Sequence, residues 1–68
     1  MRTKEYIGTW KMANGTFFEV FETEEGKLVD GNYIEIEIEE LIDYKIMNLT
    51  ISKRADEIKK EILKRGEF

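Results

Sequence analysis

The chain has 68 residues, one tryptophan, no cysteine, no histidine and no proline, and a formal net charge of −4. That composition excludes disulfides, thiolate zinc sites, and the imidazole ligands and bases on which most metal and acid–base chemistry depends. Its length restricts it to one domain, residues 1–68, in which a single core supplies at most about 3–5 kcal/mol; of the usual supports for so small a body, oligomerisation is the one left open.

In chain order, "KEYIGTWKM" and "TFFEVFE" are rich in aromatic and β-favouring residues, with "ANG" between them. Asn-Gly between two such runs predicts a β-hairpin spanning about 4–22, turned through a type I′ geometry with positive φ at both central positions. "TEEGK" and "VDGN" read as further turns, leaving "KLV" as a short edge strand.

The stretch 32–41, "NYIEIEIEEL", sets isoleucine against glutamate. Period two predicts a strand with Ile34, Ile36 and Ile38 on the core side and Glu35, Glu37 and Glu39 in solvent. "DYKIMNLTI" reads two ways: as a strand over about 44–51, or as a backward extension of the following helix through Tyr44, Met47 and Ile51. Its β-branched content, with Ser52 as a natural N-cap, favours the strand.

An amphipathic helix follows over about 53–65. It has an apolar stripe of Ala55, Ile58 and Ile62, favourable pairs Asp56 to Lys60 and Glu61 to Arg65, and Gly66 placed for a left-handed C′ position. The predicted fold is α+β: a curved, mostly antiparallel sheet of four or five short strands with one C-terminal helix packed on it.

Charge is unevenly divided. Residues 19–43 hold ten acids and one base, whereas residues 53–65 hold six bases and three acids. This argues against direct nucleic-acid binding, which depends on neutralising phosphates. The acids around "ETEEGKLVDGN" lack the spacing of a calcium loop, so no metal or other cofactor is expected. Ser52 is accounted for by capping and no catalytic pair is available, so the chain is read as non-enzymatic. The first residues lack the apolar segment of a signal peptide, and no window approaches the roughly 20 apolar residues of a membrane span. A cytoplasmic protein without membrane attachment is expected, and the Asn14 and Asn48 sequons are then coincidental.

Two surfaces could be read by a partner. Glu35, Glu37 and Glu39, regularly spaced on a strand, together with Glu40 could imitate phosphates and occupy a basic groove; the plainer reading is a wet strand face. The hairpin aromatics Tyr6, Trp10, Phe17, Phe18 and Phe21 cannot share one face, because Phe17 and Phe18 are adjacent and point oppositely. Either the sheet curls into a small barrel or one apolar face stays open for a homodimer or protein partner. Gly8-Thr9-Trp10 resembles the Gly-x-Trp element of lipocalins and fatty-acid-binding proteins. That resemblance, three residues long, implies an apolar-ligand cavity under Trp10, which a chain of this length could enclose only as a dimer. The expected function is an interaction or regulatory module working through its aromatic sheet face; an acidic inhibitor or a ligand binder are the alternatives.

Overall fold

A computed structural model describes residues 3–66. The elements run β1 (Lys4–Lys11), β2 (Phe17–Thr23), β3 (Leu28–Val29), α1 (Ile38–Ile42), β4 (Lys45–Leu49) and α2 (Lys53–Arg65). The four strands form one antiparallel sheet in the order β3-β2-β1-β4. The sheet is open rather than a barrel, so the α+β prediction stands and the closed alternative does not.

The hairpin forms as expected, but its turn differs. Gly15 has φ of 92° while Asn14 stays at negative φ. Gly15 N–H donates to the Met12 carbonyl at 2.9 Å, and Met12 N–H donates to the Thr16 carbonyl at 2.8 Å. The Asn14 side chain instead accepts from Thr16 N–H at 2.9 Å. That local bond holds Asn14 out of the left-handed region, so glycine alone carries the reversal.

The strand predicted over 32–41 does not form. Asp30 organises a tight reversal: its carboxylate accepts from Asn32 N–H at 2.7 Å and from Ile34 N–H at 3.0 Å. Tyr33 is carried to φ of 63°, a rare conformation for a residue with a side chain, and extended pairing breaks there. One bridge, Val29 to Glu35, is all that remains of the ladder. The chain then coils into α1, because Ile38, Leu41 and Ile42 also satisfy a helical spacing and glutamate is a better helix former than strand former. Glu39 and Glu40 lie in its first turn, where the helix dipole favours acids. Of the three isoleucines, Ile36 is buried and Ile34 is 62% exposed.

β4 resolves the ambiguity of residues 43–51 in favour of a strand. α2 has the predicted bounds, with Ser52 Oγ accepting from Ala55 N–H at 3.1 Å. Lys60 and Asp56 pair at 3.1 Å, and Arg65 and Glu61 at 2.7 Å. Gly66 keeps φ of −89° instead of going left-handed. Its lack of a side chain matters for proximity, since a Cβ there would lie 3.2 Å from the Ile42 side chain.

Both helices pack on one side of the sheet. The core joins Ile7, Trp10 and Val20 of the hairpin, Leu28, Ile36, Leu41 of α1, and Ala55, Ile58 and Ile62 of α2. Trp10, Leu41, Val20 and Ala55 are completely buried.

Candidate functional site

A bulge decides which aromatics share a face. Tyr6 pairs with Phe21 and Gly8 with Val20, so β1 contributes one extra residue between them. Ile7 and Trp10 consequently point to the same side although an odd number of positions separates them. The remaining register puts Thr9 opposite Glu19, Trp10 opposite Phe18 and Lys11 opposite Phe17. The inner face therefore holds Ile7, Trp10, Phe18 and Val20. The outer face holds Tyr6, Thr9, Lys11, Phe17, Glu19 and Phe21.

This sorting corrects the expected set of contact residues. Trp10 is 0% exposed, so no partner reaches it. Phe18 packs against the core and meets Tyr44 edge-on, ring centroids 5.3 Å apart. Tyr6, Phe17 and Phe21 remain on the outer face, which neither helix covers. Phe17 is 56% exposed.

The outer face is ordered by its own polar contacts. Tyr6 and Phe21 meet edge-on, with centroids 5.7 Å apart. The Tyr6 hydroxyl shares a hydrogen bond with Thr9 Oγ1 and accepts from Asn48 Nδ2 at 3.2 Å, which ties β1 to β4. Lys4 Nζ stands 4.5 Å from the Phe21 ring centre and 4.1 Å from that of Tyr33, and donates to the Gly31 carbonyl at 2.7 Å. Lys11 Nζ lies 5.7 Å from the Phe17 ring centre. A cation over an aromatic face is stabilised by the ring quadrupole, so the lysines hold these rings in place. Tyr33 and Lys4 belong to this surface and were absent from the expected set. The Asp-Gly-Asn-Tyr turn signal hinted at Tyr33, but nothing local indicated that the turn folds back over β1.

The glutamate row is dismantled by the fold. Glu35 sits in the bridge and pairs with Lys27 at 3.9 Å; Glu37 is the α1 N-cap; Glu39 and Glu40 occupy the first helical turn. Glu39 pairs with Arg65 of α2. Its own backbone N–H, with help from the Arg65 charge, holds its carboxyl below the ordinary glutamate range, and the Glu61 and Glu39 carboxylates raise Arg65. Four acids in three conformational settings do not make a regularly spaced phosphate mimic.

The Gly-x-Trp element has a local explanation. A Cβ on Gly8 would run into the Asn48 carbonyl, and would lie 2.8 Å from Leu49 Cδ2 and 3.1 Å from Trp10 Cζ3. Glycine is required where β4 and the indole close on β1, and the space around Trp10 is filled by core side chains rather than left as a ligand cavity. The indole N–H has no hydrogen-bond partner among the described residues.

Among the described residues no group of three acids is placed to hold a metal ion, and no polar or charged side chain is buried. No helix among them is long and apolar enough to cross a membrane. No protein-family model, curated protein or solved structure matches the chain, so the functional reading rests on its own residues.

Proposed function

We propose that the chain is a non-catalytic interaction module that pairs with a second copy of itself through the outer sheet face. The observation carrying this reading is the exposure of Phe17, in line with Tyr6 and Phe21, on a face that no described helix covers. Aromatic residues are the common anchors of protein interfaces. The non-catalytic part is supported by the buried residues, which among the described residues are all apolar and include no acid or base.

The register supports self-pairing. A two-fold axis along the strands, between β1 and β2, would stack β1 of one copy on β2 of the other. Lys11 would then lie over Phe17, Thr9 over Glu19 and Tyr6 over Phe21, with no like charges opposed. Sheets so stacked stand about 10 Å apart, a gap that aromatic side chains fill.

A dilution series followed by amide NMR tests the reading. The expected outcome is concentration-dependent shifts confined to residues of the outer face, lost in Phe17→Ser. Shifts centred on α2, or none over the accessible concentration range, would overturn it.

A further inference from the structure

The two edges of the sheet end differently. Along β3 the chain returns and covers its open side: Val29 bridges Glu35, and Ile36 N–H donates to the Leu28 carbonyl at 2.8 Å. No described segment does this for β4. Thr50 N–H donates to the Ile7 carbonyl at 2.9 Å, so Thr50 faces β1. By alternation, the main-chain groups of Leu49, the last residue of β4, face away from the sheet, and Ile51 follows in the bend that leads to α2.

Open edges are commonly guarded by lysine and by bulges. Lys45 and the extra residue Met47, where the β1–β4 register shifts, guard the first half of β4. The second half has neither guard, and Ile51, in the bend just after it, is fully exposed. Beside that half runs an open groove between the strand and the start of α2, lined by Leu49, Ile51, Lys53, Asp56 and Lys59.

The cations of this groove are unengaged. Elsewhere, Lys4 and Lys11 lie over aromatic rings, and Lys27, Arg54, Lys60 and Arg65 are paired with acids. Among the described residues Lys45, Lys53, Lys59 and Lys64 have no partner, and two of these four line the groove. Its acid, Asp56, is already held by Lys60. An acidic chain thus keeps a positive groove beside an unpaired strand edge.

We propose that this edge takes an extended acidic peptide by strand addition. Its main chain pairs with the outward groups of Leu49, its apolar side chains lie along Leu49 and the exposed Ile51, and its carboxylates meet Lys53 and Lys59. A nucleic acid would meet the same lysines but could not continue the ladder. The site is separate from the Phe17 face and does not depend on pairing there.

The test is an amide NMR titration with a short capped peptide alternating glutamate and valine. Shifts should centre on Leu49 to Lys53, and the Leu49 amide should exchange more slowly in the complex. The double variant Lys53→Glu, Lys59→Glu should weaken binding by about tenfold with an unchanged melting temperature, since both side chains are exposed. The same peptide with lysine for glutamate, or with alternate amides methylated, should not bind. Equal binding of the lysine peptide, stronger perturbation of these residues by an oligouridylate, or no shifts with the acidic peptide would overturn the proposal. So would protection of the Leu49 amide that grows with protein concentration alone, which would assign the edge to a second copy.

Discussion

The two faces of the sheet carry similar numbers of large rings and treat them differently. On the inner face Trp10 disappears among Ile7, Val20, Leu41 and Ile58, and its indole N–H has no partner among the described residues. On the outer face Tyr6 and Phe21 meet edge-on under Lys4, Tyr6 is hydrogen-bonded to Thr9 and Asn48, and Phe17 stands open to solvent. The first arrangement maximises apolar burial at the expense of a polar group. The second keeps its rings amphipathic, with polar contacts at their edges. Covering, rather than composition, separates a core from a recognition surface in this small body.

The comparison breaks most visibly at its inner member. Trp10→Ala should cost about 3–5 kcal/mol, comparable to the whole stability of a domain this size, and leave a chain without cooperative unfolding by circular dichroism. Phe17→Ser, on the other face, should change the stability of the monomer by no more than about 0.5 kcal/mol. Equal losses from the two substitutions would erase the distinction between the faces.

Gly8→Ala probes the seam that sets the two faces. The added methyl meets the β4 backbone and the indole ring, and overpacking of this kind costs about 1–3 kcal/mol. Denaturant unfolding should show a lowered midpoint with an unchanged slope. A smaller effect belongs to the cover of the inner face: Ser52→Ala removes the bond to Ala55 N–H and should cost about 1 kcal/mol.

Legibility from the residues followed the range of the interactions. α2 was readable to its ends because its cap, stripe and ion pairs all lie within a few positions of one another. The hairpin and the short β3 were readable from turn residues. Residues 32–41 were misread because Ile38, Leu41 and Ile42 fit a helix as well as the isoleucine alternation fits a strand, and the deciding event, the Asp30 turn that carries Tyr33 to positive φ, is tertiary in its consequences. The division of the aromatics was hidden for a related reason. A bulge at Ile7 reverses the parity of the strand, and its signal, the closeness of Gly8 to β4, appears only once β4 is in place.

The smallest expected effect concerns pH. Glu39 is depressed in the folded state, so the stability it confers is present above the ordinary glutamate range and fades as pH falls through its lowered value. Its carboxyl resonance should titrate below that of a free glutamate. Arg65→Gln should move the midpoint up only part of the way, because the first cause of the depression is the residue's own backbone N–H. A full return to the ordinary value would assign the shift to the ion pair instead.

Sedimentation equilibrium of the intact chain and of Phe17→Ser, from low to high micromolar concentration, addresses the use of the outer face most directly. Self-pairing predicts an average mass that rises from one copy toward two for the intact chain and stays at one copy for the variant. A single copy at every concentration for both proteins would contradict it.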